Sequence, residues 1–142
     1  MLKKYWNGQK YCECHLIALW NAAIYYNLKV PERYGSEYEK DCYSTACISG
    51  ACINDNKIKK KLGLHAIKGI LTWDWIKDNC PIEFKLFCHR GYHSTLAIDV
   101  NYKKQKVLLA NYAVDKLYWL SINKILMKHN KFVNPIKWVI DK

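Results

Sequence analysis

A thiol is a strong nucleophile only as a thiolate, and the start of a helix favours that form because aligned peptide dipoles leave partial positive charge and free N–H groups there. Cys14 stands at such a place. It follows the polar loop Asn7-Gly8-Gln9-Lys10 and precedes Leu16, Leu19, Ala22, Ala23 and Tyr26, which recur at helical spacing with Ala18 beside them and stop near Asn27. Thiol chemistry also needs a base and an acceptor that orients it. His93 opens the segment Gly91-Tyr92-His93-Ser94-Thr95-Leu96-Ala97-Ile98-Asp99, and Asn111 ends the next apolar run, Val107-Leu108-Leu109-Ala110-Asn111. Two antiparallel strands with a short turn put the start of one beside the end of the other. The expected geometry has the Asn111 side-chain oxygen accepting a hydrogen bond from one ring nitrogen of His93, with the other nitrogen facing the Cys14 sulfur. Gln9, five residues before Cys14, is placed to turn its side-chain amide, with the Cys14 backbone N–H, towards a developing oxyanion.

Each group also has a plainer role. Alone, Cys14 is a small buried hydrophobe, His93 a structural strand residue and Asn111 a turn former. Cys12 in the same loop is the alternative nucleophile, and His89, in Phe87-Cys88-His89-Arg90, is the competing base. Cys42, Cys47 and Cys52 stand five apart, but the close Cys-x2-Cys pairs of structural zinc sites do not occur, so packing of small residues is the reading and no metal is expected.

The elements that must position these groups divide the chain in two. The helix from Cys14 to Tyr26 is followed by expected helices over Glu32 to Ala46 and Ile53 to Leu62, the latter ending at Gly63, and by a short one over Thr72 to Asp78 capped by Thr72. Then the period changes. Ile82, Phe84, Leu86 and Cys88 alternate with Glu83, Lys85 and Phe87, giving a strand with one buried face. Strands over Ser94 to Val100 and Lys106 to Asn111 follow around the turn 101–105, then a helix capped by Ser121 through Lys128 and a last strand over Ile136 to Ile140. Helices first and an antiparallel sheet second make an α+β fold.

The chain of 142 residues is expected to form one domain, since that length fills about one hydrophobic core and no repeat or Pro- or Gly-rich linker divides it. A 51% hydrophobic and 25% charged composition excludes disordered, collagen-like and rod-like classes. No apolar run is long enough for a bilayer span, and the N-terminus carries no apolar stretch after Lys3 and Lys4, so an intracellular, cytoplasmic protein with reduced thiols is expected. The net charge of +11 attracts acidic partners, yet of 23 basic residues only Arg33 and Arg90 are arginine. Bidentate base reading is therefore not expected, and no specific nucleic-acid partner is assigned.

With these residues in order, the chain resembles the papain-like cysteine peptidases, most closely the compact branch containing double-glycine leader peptidases. The resemblance rests on Gln9, on Cys14-His15-Leu16-Ile17-Ala18-Leu19-Trp20-Asn21-Ala22-Ala23, on Leu62-Gly63-Leu64, on Gly91-Tyr92-His93, on Asn111 and on Trp119-Leu120-Ser121. His15 stands where that family usually has Gly, and the interval from Gln9 to Cys14 is one residue shorter than is often found there. The resemblance implies helices packed on a C-terminal antiparallel sheet, a Cys14-His93-Asn111 triad with Gln9 as oxyanion donor, no cofactor, and a peptide or protein substrate cut at a peptide or isopeptide bond. Deamidation and transamidation use the same constellation. The other readings are a catalytically silent module that grips a peptide in the groove between helix and sheet, and a basic interaction protein.

Overall fold

A computed structural model describes residues 3–8, 14–29, 43–44, 52–53, 60, 62–88 and 91–141. The elements in chain order are helix α1 (Cys14–Tyr25), strands β1 (Tyr43–Ser44), β2 (Cys52–Ile53) and β3 (Leu64–Lys68), helix α2 (Trp73–Ile76), strands β4 (Ile82–Cys88), β5 (Gly91–Asn101), β6 (Lys106–Ala113) and β7 (Lys116–Ser121), helix α3 (Ile122–Lys128) and strand β8 (Ile136–Ile140). The fold is α+β. A six-stranded sheet in the order β3-β8-β4-β5-β6-β7 has every neighbouring pair antiparallel, and β1 and β2 form a separate ribbon.

Both faces of the sheet are covered. Helix α1 lies on one face, where Leu16, Leu19, Trp20 and Ala23 pack with Leu62, Leu64, Leu96 and Trp138. The other face carries α2 and α3, whose Ile76, Ile122 and Ile125 pack with Ile82, Phe84, Leu86, Ala97 and Leu109. Alternation along β4 and β5 distributes these residues, since neighbours in a strand point to opposite faces. Full burial of Leu16, Ile17 and Leu19 contributes roughly 1.5–3 kcal/mol each, which holds the helix and the cysteine at its start on the sheet. The helix stops where Asn27 adopts a left-handed φ of 60°, a conformation Asn tolerates, and the Leu28 N–H closes on the Ala23 carbonyl at 2.9 Å.

Some expectations change. Tyr43–Ser44 pair with Cys52–Ile53 as strands, so the helices expected over Glu32 to Ala46 and Ile53 to Leu62 do not extend to those residues. Lys60 and Leu62 are helical, and the chain then turns at Gly63 with a φ of 70°; the remainder of both segments lies outside the described residues. Strands β3 and β7 were not anticipated. They are the two edges of the sheet and bury one residue each, Leu64 and Leu120, so neither carries an apolar alternation. Glu83 is on a covered face, not a solvated one, with 5% of its surface exposed. Thr72 and Ser121 do cap their helices, each side-chain oxygen accepting a backbone N–H three residues on at 3.4 Å.

Candidate active site

Strands β5 and β6 are paired from Leu96 and Ala110 onward, and before that point they separate. Cys14, the first residue of α1, reaches into this opening. The Ser94 backbone N–H donates to its Sγ at 3.4 Å, and the His93 ring hydrogen-bonds the same sulfur. On its other side His93 Nε2 lies 2.5 Å from the Asn111 carbonyl oxygen. A carbonyl only accepts, so Nε2 carries the proton and Nδ1 is left for the thiol. The structure thus brings Cys14, His93 and Asn111 together. Gln9, Cys12 and His89 lie outside the described residues.

Asn111 holds the imidazole with its backbone, not its side chain. The reason is local: the pairing of β6 with β7 shifts register between Leu109 and Ala113, and Asn111 takes a φ of 62° within that irregularity, aiming its carbonyl at the imidazole. Asn is among the few residues that enter the left-handed region at low cost. The side chain serves elsewhere. Its Oδ1 accepts the Gly8 N–H at 2.7 Å, and the Asn111 N–H donates to Asn7 Oδ1 at 2.8 Å, so the segment leading to Gln9 is tied to β6. Gly8 has a φ of 95°, which a side chain would strain. The same segment is fixed to α1 by the buried Asn21, whose Oδ1 accepts the Trp6 N–H at 2.8 Å and whose Nδ2 donates to the Trp6 carbonyl at 3.0 Å.

Burial raises the Cys14 pKa, but the hydrogen bond with His93, the Ser94 N–H and the imidazole charge outweigh it, with Glu83 opposing them, and the thiol ends below its ordinary value. For His93, burial lowers the pKa, while the hydrogen bonds to Cys14 and to the Asn111 carbonyl, and the thiolate charge, carry it above its ordinary value. The two shifts are two sides of one coupling, and together they favour a thiolate–imidazolium pair.

A buried acid paired with the half-buried His15 beside the site has no counterpart in the expectations from sequence. His15 Nδ1 donates to Glu83 Oε2 at 2.6 Å, and Trp138 Nε1 donates to Glu83 Oε1 at 3.0 Å. The sequence offers only an acid between Ile82 and Phe84 and a histidine directly after Cys14, and nothing in it joins the two. Two cavities lie near these residues. One of about 460 Å³ is lined by Leu86, Phe87, Cys88, His93, Tyr112 and Lys128. The other, of about 480 Å³, opens beside His15 and Glu83.

No family model and no curated protein matches the sequence. Among the described residues no helix is long and apolar enough to cross a membrane.

Proposed function

We propose that the protein is a cysteine-dependent hydrolase of the papain-like kind, opening a peptide or isopeptide bond. The observation that carries this reading is the Cys14 thiol at the start of α1 against His93, whose far nitrogen is held by Asn111. In the reaction the Cys14 thiolate attacks the scissile carbonyl carbon, and the carbonyl electron pair moves to oxygen. The Cys14 N–H, unpaired within its helix as any first-turn N–H is, and the Gln9 amide stabilise that oxyanion. The His93 imidazolium gives its proton to the leaving amine as the C–N bond breaks, leaving a thioester. Neutral His93 then takes a proton from water, whose oxygen attacks the thioester, and the acid product departs as the thiolate re-forms. Cys14 at the start of α1, His93 on β5 and Asn111 on β6 supply the nucleophile, the base and the orienting acceptor of this scheme, and neither metal nor organic cofactor enters it.

The test is alkylation with iodoacetamide at neutral pH, with sites located by peptide mass spectrometry. Cys14 is expected to react at least about tenfold faster than any other thiol, as a low-pKa accessible thiolate does. Equal labelling of all seven cysteines would remove the hydrolase reading and leave a binding module.

A further inference from the structure

The cavity beside His15, the residue that follows Cys14, has a definite electrostatic character. It lies on the α1 face of the sheet, over a row that crosses three strands: Lys68 on β3 pairs in register with Ile136 on β8, and Ile136 with Glu83 on β4. Lys85 stands two residues further along β4 on the same face, opposite Ser94, the residue whose N–H touches the Cys14 sulfur. His15, next to Cys14, closes the near end. Exposed Phe132 and partly buried Ile136 provide apolar wall.

The one acid among the described lining residues does not cancel the lysines. Both Glu83 oxygens are engaged, one by His15 and one by Trp138. Against this single carboxylate, Lys68 and Lys85 leave the lining with a net positive charge. The far wall is also built rather than loose. His129 Nε2 donates to the Val133 carbonyl at 3.1 Å, its Nδ1 accepts the Lys85 N–H at 3.3 Å, and the Asn130 N–H donates to the Lys85 carbonyl at 2.9 Å. The loop carrying Phe132 is thereby fastened to β4.

We propose that this cavity is a substrate subsite for an acidic side chain, glutamate or aspartate, carried by the peptide close to the bond that Cys14 opens. The inference rests on the hydrolase reading and adds the class of substrate. The volume of about 480 Å³ accepts such a side chain with its flanking backbone, the apolar wall receives its methylene groups, and the lysines receive its carboxylate. The net charge of +11 attracts acidic chains to the protein as a whole.

Epoxysuccinyl peptides extended on both sides of the warhead test this. Each carries Glu, Gln or Lys at one flanking position. The Cys14 thiolate opens the epoxide, forming a C–S bond as the C–O bond breaks and the oxygen takes a proton, so the rate of adduct formation reads recognition directly. At one position the Glu probe is expected to react about fivefold to tenfold faster than its Gln twin at low ionic strength, the gain falling as salt screens the exposed lysines. Lys68→Glu together with Lys85→Glu should reverse the order in favour of the Lys probe, read as the ratio of the probe rates within that variant. Equal Glu and Gln rates at every position in the unaltered protein, with Cys14 still selectively alkylated by iodoacetamide, would overturn the subsite and leave the hydrolase. Loss of that selectivity would overturn both.

Discussion

Cys14 and Cys80 are both free thiols partly withdrawn from solvent, and they are driven in opposite directions. Cys80, just before β4, is pushed up to about 12, first by burial and then by the charge of Asp99, with Lys137 only partly offsetting them. Cys14 meets the same desolvation and ends below its ordinary value, because a histidine held by a carbonyl and the Ser94 backbone N–H both point at its sulfur. Burial alone silences a thiol. What makes one reactive is a set of donors fixed in place before any substrate arrives, and only one of these two cysteines has it.

The sharpest way to break the contrast is to delete each thiol. Cys14→Ala should lower cleavage of a matched peptide by about ten-thousandfold or more, as loss of a nucleophile does, whereas Cys80→Ala should leave the rate within about twofold. Comparable losses in a steady-state assay would make the distinction meaningless.

Next in size is the base. His93→Ala should slow iodoacetamide labelling of Cys14 at neutral pH by about tenfold to a hundredfold and move its pH profile towards that of an ordinary thiol near 8.5. Peptide cleavage by the unaltered protein, which needs thiolate and imidazolium together, should give a bell against pH. Its lower limb lies below the ordinary thiol value, because the Cys14 pKa is lowered, and its upper limb lies above the ordinary imidazole value of about 6.5, because that of His93 is raised. Between the limbs the ion pair is intact. The sign for stability follows: the His93 contribution is lost as pH rises through its raised pKa, and the Cys14 contribution as pH falls through its lowered one. A single alkaline rise in the labelling profile would contradict the pairing.

A smaller effect separates backbone from side chain at position 111. Asn111→Gly preserves the left-handed conformation and the carbonyl, so labelling of Cys14 should fall by less than about tenfold, while thermal stability drops by about 1 kcal/mol through loss of the bond to Gly8. A hundredfold fall in labelling would return the orienting role to the side chain. The least effect belongs to Cys80: Asp99→Asn removes a charge that raises this thiol, so its alkylation at pH 10 should quicken by about twofold with Cys14 unmoved.

Much of the arrangement is legible in the sequence because it is written in periodicity. The α1 pattern, the alternation in β4 and the two apolar runs of β5 and β6 locate Cys14, His93 and Asn111 on their elements. What was not legible depends on tertiary context. Whether an asparagine offers its amide or its main-chain carbonyl is decided by a register shift in β6, and no residue pattern announces one. Edge strands β3 and β7 bury too little to show a period, and the pairing of Tyr43–Ser44 with Cys52–Ile53 overrides local helical preference. Glu83 looks solvated by alternation and is buried because both faces of its strand are covered.

The clamp of Asn7 and Gly8 on Asn111 joins positions 104 and 103 apart along the chain, and the Ser94 contact with Cys14 spans 80. Contacts of such high order form only after long loops have closed, and that closure is slow and entropically costly. Until then Cys14 has neither its imidazole nor its backbone donor and behaves as an ordinary thiol. The lowered pKa of Cys14 is therefore a property of the completed topology alone: an unfinished or locally opened chain carries an ordinary thiol, and folding itself tunes it.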